Sequence, residues 1–279
     1  MQKISIFAAM LKKWGLYISL LALVIVTGCS KYQKILKSSD VDLKYEAAEK
    51  YYDEGKYDRA IPLLEELIPL LRGTERAEKV YFLYAYSNYQ SNLLYAAAYH
   101  FKKFATTYPS SKHVEEMLFM HGYTQYLLSP VPELDQTETY NAINSLQLFI
   151  NTFPEHQLVD SSNVLMDKLR VKLETKSYKN AKQYFKISDY KASIVALANH
   201  LKDYPDTEHH EEINFLILKS HYLLAVNSIK EKKLERIGNT IEAYYNFADI
   251  YTDSKYLKEA QTIYSKMAEE QNEIKLENL

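Results

Sequence analysis

Apolar residues recur at intervals of three and four along most of the chain. Leu64, Leu67 and Leu71 form one such stripe, and no long stretch alternates strictly between apolar and polar residues. This period places the apolar side chains on one face of an α-helix, whereas a half-buried β-strand would alternate. The pattern therefore predicts an all-α domain over residues 40–279.

The predicted helices repeat. Five segments each carry a small residue, a large residue four positions later, and in most cases an apolar or aromatic residue three positions after that. The fifteen positions are Ala60, Leu64, Leu67, Ala97, Phe101, Phe104, Ala142, Leu146, Phe149, Ser193, Leu197, His200, Thr240, Tyr244 and Phe247. A small residue allows a close approach to the neighbouring helix, and the larger residues fill the groove between helices. Three segments continue to a proline, which ends the helix. These features are typical of the second helix of a tetratricopeptide (TPR) hairpin.

The first helices of the hairpins also align. The segment EKVYFLYAYSNY from Glu78 matches EEMLFMHGYTQY from Glu115, which places Ala85 over Gly122. The prolines are more than 34 residues apart, so extra residues are predicted between hairpins at 129–132 and 157–173. The sequence predicts an α-solenoid of about five TPR-like hairpins and a closing helix from about Lys255. We expect the tightest contacts between helices at four small residues: Ala60, Ala97, Gly122 and Ala142.

The N-terminus has the pattern of an export signal. Two lysines precede an uncharged stretch over residues 14–30, which is shorter than the roughly 20 apolar residues of a membrane-spanning helix. The stretch ends Val-Thr-Gly-Cys at Cys29, the pattern of a bacterial lipoprotein signal, whose cysteine thiol takes diacylglycerol as a thioether. We therefore predict a signal peptide over residues 1–28 and a lipidated tether over residues 29–39. Ser30, where an aspartate would favour the inner membrane, indicates the outer membrane.

Composition excludes several classes of protein. The chain has 34 basic and 36 acidic residues, and loss of residues 1–28 would change the net charge from −2 to −5, because three lysines leave. A nucleic-acid binder with a basic surface is therefore excluded. Six glycines and seven prolines are too few for a many-stranded β fold or a glycine-rich nucleotide loop. With one cysteine, the chain has no internal disulfide.

The 26 tyrosines indicate an extended packing or contact surface. Tyr86 and Tyr89 align with Tyr123 and Tyr126 in consecutive first helices, which line the inner face of a TPR stack. Tyrosine offers apolar area with a hydroxyl at low entropic cost and suits peptide recognition. We predict that these four side chains face the groove, and packing between helices is the alternative.

No pattern in the sequence points to catalysis. The segment from His209 to Glu212 reads HHEE, but adjacent histidines on a helix point about 100° apart and cannot bind one metal together. We expect it to be the solvated start of a helix, and we predict no metal and no cofactor. A GxSxG serine, a Walker loop and an HExxH motif are all lacking. We expect a protein that is not an enzyme.

The combined signals resemble one family. Second helices that end FATTYPSSKHVEE, INSLQLFINTFPEHQ and HLKDYPDTEHHEE, together with the lipoprotein signal, resemble the BamD family of TPR lipoproteins of the outer-membrane β-barrel assembly machinery. The resemblance covers about residues 31–230. It implies a scaffold, lipid-anchored in the outer membrane and facing the periplasm, that binds the periplasmic domains of the barrel-forming subunit and other assembly lipoproteins. It also implies capture of unfolded outer-membrane proteins in the N-terminal repeats.

Two other classes remain open. A glycan-binding helical lipoprotein associated with an outer-membrane transporter would favour tryptophan for stacking on sugars, but Trp14 lies in the signal. A peptidoglycan hydrolase with attached TPRs would need a catalytic domain, and residues 40–279 leave no segment for one.

Overall fold

The computed structural model describes residues 31–277, which contain helices, turns and loops but no strand. Residues 31–36 are helical, and eleven longer helices follow in the described part of the chain. They are α1 (Val41–Asp53), α2 (Tyr57–Leu70), α3 (Ala77–Gln90), α4 (Leu94–Thr107), α5 (Val114–Leu128), α6 (Thr137–Thr152), α7 (Val159–Lys186), α8 (Tyr190–Asp203), α9 (His210–Val226), α10 (Lys230–Ala248) and α11 (Leu257–Glu277). The helices form five successive hairpins and a closing helix, so the predicted all-α, TPR-like fold is confirmed.

The described helices divide into two compact units. The first comprises residues up to 129 together with 137–166, and the second comprises 130–136 together with the residues from 167 onward. The five predicted second helices are α2, α4, α6, α8 and α10. Of their fifteen aligned positions, fourteen are buried and Tyr244 is half-buried. The repeat alignment therefore gives the correct helix faces.

The core of the first unit lies between the helices of each hairpin. In the first hairpin, Ala48 and Leu64 are fully buried, and in the second hairpin Ala85 and Phe101 are too. A Cβ atom added to Gly122 on α5 would lie 2.9 Å from Leu146 Cδ2 and 3.2 Å from the backbone nitrogen of that residue on α6. Glycine is therefore the residue that allows α5 and α6 to approach this closely.

The second unit is built in the same way and also buries polar groups between its helices. Ser193 is fully buried, and its hydroxyl lies 3.1 Å from that of Ser220 on α9. His200 is 1% exposed, and its Nδ1 lies 2.9 Å from the hydroxyl of Ser177. Burial lowers the pKa of His200, so the neutral ring is favoured inside the unit. This position packs between helices, as its place in the repeat predicts.

Three hairpins share one turn. Gly55, Asn92 and Ser188 have φ angles of 70°, 58° and 64°, and each lies five residues before the small residue of its second helix. At Asn92 the backbone N–H bonds to the carbonyl of Tyr89, and the next N–H bonds to that of Asn88. This is a Schellman turn, which closes the first helix with one left-handed residue.

Acidic pairs connect successive hairpins. Glu115 and Glu116 lie in the first turn of α5. Glu115 Oε2 lies 3.5 Å from His156 Nε2, just before α7, whereas Glu116 accepts a hydrogen bond from the hydroxyl of Tyr86 on α3. One residue of the pair therefore contacts the following hairpin, and the other contacts the preceding one.

The pair at the start of α9 repeats this arrangement. Glu211 accepts a hydrogen bond of 2.5 Å from the Ser254 hydroxyl, just before α11. Glu212 accepts bonds of 2.5 Å from the Tyr178 hydroxyl and from Lys182 Nζ, both on α7. The residues EE in SKHVEE and TEHHEE thus have a common structural role.

Two expectations need correction. The extra residues predicted between hairpins at 157–173 instead lie mostly in α7, which has 28 residues and is therefore the longest of the described helices. The tether predicted over 29–39 is folded from residue 31 onward, because Tyr32, Ile35 and Leu36 pack against the first hairpin. The predicted signal peptide and Cys29 lie outside the described residues.

Candidate functional site

Four tyrosines of the first unit lie together on two neighbouring first helices. Tyr86 and Tyr89 are on α3, and Tyr123 and Tyr126 are on α5. Each of the four residues is half-buried. We call these four residues the tyrosine strip.

Tyr86 is the anchored member of the strip. Its ring centroid lies 4.8 Å from that of Phe82 and 5.2 Å from that of Phe101, which is in the core. Its hydroxyl donates a hydrogen bond to the carboxylate of Glu116. Burial, and then the hydrogen bond to Glu116, raise the pKa of the Tyr86 hydroxyl. The Tyr86 side chain therefore contributes both to packing and to the accessible face.

The other three rings continue the strip across α5. Tyr123 is stacked nearly parallel to Phe119 and to Tyr126, with centroid distances of 6.0 and 6.2 Å. The Tyr89 ring lies 6.1 Å from that of Phe101. Burial, and then the neighbouring Tyr123 hydroxyl, raise the pKa of the Tyr89 hydroxyl. The strip offers neutral aromatic rings edged with hydroxyl groups.

The neighbouring tyrosines of α3 have a different role. Tyr81 and Tyr84 are 8% exposed and pack against His100 of α4. The Tyr81 hydroxyl lies 3.0 Å from His100 Nδ1. The clustered tyrosines of this helix therefore divide into a buried pair facing α4 and an accessible pair in the strip.

The residue-by-residue prediction omitted two rings next to the strip. Phe82 lies four residues before Tyr86, and Phe119 lies four residues before Tyr123, so each pair shares a helix face. The alignment of the two first helices already places Phe82 over Phe119. That repetition is the signal that could have identified them.

Residues 209–212 are not a solvated helix start, contrary to expectation. The His209 ring stacks on Tyr178 with centroids 3.9 Å apart, and His210 Nδ1 bonds to the hydroxyl of Tyr251. All four residues are half-buried, because this helix start packs against the preceding hairpin and against the segment that leads into the closing helix α11. Across residues 31–277, no group of three or more His, Cys, Asp or Glu could hold a metal ion.

The described helices are also unsuited to crossing a bilayer, since none between residues 31 and 277 is both long and apolar enough. Fold and surface together define a TPR-like helical-repeat protein with an accessible aromatic face. The family model described as "Outer membrane lipoprotein" (YfiO) matches residues 38–237, and the chain belongs to this family.

Two relatives carry a more specific description. The outer membrane protein assembly factor BamD of Pasteurella multocida (strain Pm70) is 22% identical over 217 residues, covering 74% of this chain and 83% of that protein. The putative outer membrane protein assembly factor BamD of Aquifex aeolicus (strain VF5) is 24% identical over 230 residues, covering 80% and 73%. The resemblance to the BamD family inferred from the sequence is confirmed.

Proposed function

We propose that this chain is a non-catalytic scaffold lipoprotein of outer-membrane protein assembly. It is anchored through Cys29 in the outer membrane and faces the periplasm. Membership of the outer membrane lipoprotein family and the names of the two BamD relatives support this role. The proposed mechanism is positioning by binding, which agrees with the names of the two relatives as assembly factors.

The tyrosine strip is the proposed site for segments of unfolded outer-membrane proteins. Such segments expose both apolar side chains and unpaired backbone groups, and the strip presents matching rings and hydroxyls. The single observation that carries this assignment is that Tyr89, Tyr123 and Tyr126 remain accessible while their rings are held by neighbouring aromatic side chains. Rings ordered before binding lose little conformational entropy when a peptide docks.

The remaining surface serves the other subunits in this proposal. A scaffold must hold the periplasmic domains of the barrel-forming subunit, and further assembly lipoproteins, while the strip is occupied by a client. Binding of these subunits outside the strip would allow both interactions at once. Client binding and subunit docking are then separable by mutation.

Peptide titration tests the strip. Alanine at Tyr123 or Tyr126 should weaken the binding of unfolded barrel peptides about 5- to 30-fold, because a well-placed interface aromatic contributes about 1–2 kcal/mol. Tyr95→Ala is the matched control, since Tyr95 lies on α4 and is 67% exposed. Its peptide affinity should not change.

Thermal melts separate binding from folding. Tyr126→Ala should keep the helical circular dichroism and the melting temperature of the parent protein. Tyr86→Ala should lower both stability and affinity, because Tyr86 contacts Phe101 and Glu116. An intact fold with unchanged peptide affinity in both Tyr123→Ala and Tyr126→Ala would overturn the assignment of the strip.

A further inference from the structure

The first described residues form an amphipathic helical turn next to the predicted anchor. Tyr32, Ile35 and Leu36 pack against the first hairpin, and the Tyr32 ring lies 5.7 Å from that of Tyr51. Lys31 and Lys34 are exposed, as is Lys37 just beyond the helical residues. Since residues three apart share a helix face, these lysines form a basic edge.

Arg59 holds this segment in place. Its guanidinium carbon lies 5.7 Å from the Tyr32 ring centroid and 5.8 Å from that of Tyr51. The Tyr32 hydroxyl also donates a hydrogen bond of 3.4 Å to the Arg59 carbonyl. The segment is therefore fixed to α1 and α2 by packing, by cation–π contacts and by a hydrogen bond.

A groove of about 620 Å³ lies beside the segment. Its charged lining residues are Lys31, Glu46, Lys50, Glu54, Lys56 and Arg59. Lys56 Nζ lies 2.6 Å from a Glu54 oxygen, and Lys50 Nζ lies 3.9 Å from the other. Four cations against two carboxylates make the groove locally positive, although residues 29–279 carry an excess of acidic residues.

Chain length places this groove near lipid headgroups. Cys29 precedes Lys31 by two residues, which span at most about 7 Å when fully extended. The headgroup region of a bilayer is about 5–7 Å thick on each side. A thioether-linked diacylglycerol at Cys29 would therefore hold the basic edge at the level of the lipid phosphates.

We propose that the basic edge and the groove, which we call the basic face, dock on the phospholipid surface that holds the anchor. The ligands are phosphate groups of anionic phospholipids, bound by Lys31, Lys34, Lys50 and Lys56. This contact fixes the orientation of the first hairpin relative to the membrane. The inference rests on the proposed lipid anchor, and it adds to that anchor an electrostatic docking surface.

Lysine footprinting of the native lipoprotein tests the proposal. The protein is reconstituted in phosphatidylglycerol vesicles, in phosphatidylcholine vesicles or in neutral detergent, and labelled with an amine-reactive reagent before mass spectrometry. We expect Lys31, Lys34 and Lys56 to react at least fivefold more slowly in phosphatidylglycerol than in detergent. Lys103 and Lys112, exposed lysines outside the basic face, serve as internal controls. Salt at 0.5 M should remove most of the protection, because it screens exposed charges.

Three results would overturn the proposal. One is equal reactivity of these lysines in phosphatidylglycerol and in detergent. Another is equal protection of these lysines in phosphatidylcholine vesicles. That result would mean that the lysines are shielded only because the anchor holds them near the membrane, whatever the lipid charge. The third is equal protection by inorganic phosphate in detergent, which would assign the groove to a free anion.

The same digest keeps the two proposals apart. The mass of the peptide that begins at Cys29 reports the acyl chains directly. If the acyl mass is present and the lysines are unprotected, only the docking surface fails. If the acyl mass is missing, the proposed anchor fails.

A protein with Lys31, Lys34 and Lys50 changed to glutamine should lose the salt-sensitive protection of Lys56. The matched variant with glutamine at Lys102, Lys103 and Lys112 should keep it.

Discussion

At the scale of single residues, small side chains set how closely the helices approach. Ala60, Ala97 and Ala142 are fully buried, and Gly122 leaves no room for a Cβ beside Leu146. The sequence identifies such positions because they recur in the alignment of the hairpins. It does not identify polar partners such as Glu116 for Tyr86, because that hydrogen bond depends on the angle between two hairpins.

A pair of glycine substitutions tests the contact. Gly122→Ala should destabilise the protein by about 1–3 kcal/mol, because the added methyl group meets Leu146 side-chain and backbone atoms. Gly238→Ala is the control, since its Cβ would meet nothing within 4 Å in α10. That change should stabilise the helix by about 0.5–1 kcal/mol. Urea unfolding measures both, and equal effects would contradict the packing described for Gly122.

At the scale of helices, the period of apolar residues determines most of the fold. It predicts the faces of α2, α4, α6, α8 and α10 and the closing helix, since burial in a repeat follows from spacing alone. It does not predict that residues 157–173 extend a helix rather than form a connection. Nor does it predict that residues 209–212 are half-buried, because polarity alone does not show which charged residues bridge two hairpins.

The acidic pair of α9 provides a prediction at this scale. Burial alone would raise the pKa of Glu212, but hydrogen bonds from Lys182 and Tyr178 lower it overall. Glu212→Gln should therefore cost about 0.5–1.5 kcal/mol at pH 7, whereas Glu208→Gln, at an exposed position, should cost almost nothing.

The pH dependence of this difference follows from the sign of the shift. A carboxylate with a lowered pKa stabilises the folded state above its ordinary pKa of 4.5, and this contribution is lost as the pH falls further. The gap between the parent protein and Glu212→Gln should therefore shrink below about pH 4.5. Urea midpoints at several pH values measure it, and a gap that grows in acid would contradict this role of Glu212.

At the scale of the whole molecule, the sequence predicts the family more readily than the division into units. One boundary between the two units falls within α7, near residue 166, and α7 contains neither glycine nor proline; the other boundaries enclose the loop 130–136, which belongs to the second unit. A boundary inside a continuous helix leaves no turn or linker for the sequence to show. The family is easier to recognise from the sequence than the two units are. Its pattern, a series of hairpins with their connecting segments, can be read directly along the chain.

The anchor is the prediction at this scale. Cys29→Ser should abolish acylation, because serine offers no thiol for the thioether. We expect the variant to accumulate as an uncleaved precursor or in soluble form rather than in the outer membrane. Fractionation of the cell envelope measures this, and Ser30→Thr is a conservative control next to the site. A native Cys29 peptide without added lipid mass would refute the anchor.

The density of tyrosine rings in the first unit also has an optical consequence. The only tryptophan, Trp14, and one of the 26 tyrosines lie in the predicted signal peptide, so residues 29–279 emit ultraviolet fluorescence from tyrosine alone. The rings of Tyr86, Tyr89, Tyr123 and Tyr126 would act together as energy donors to a tryptophan placed in a bound peptide. A client bound at the strip would quench tyrosine emission and brighten its own, so the unlabelled protein can report its occupancy.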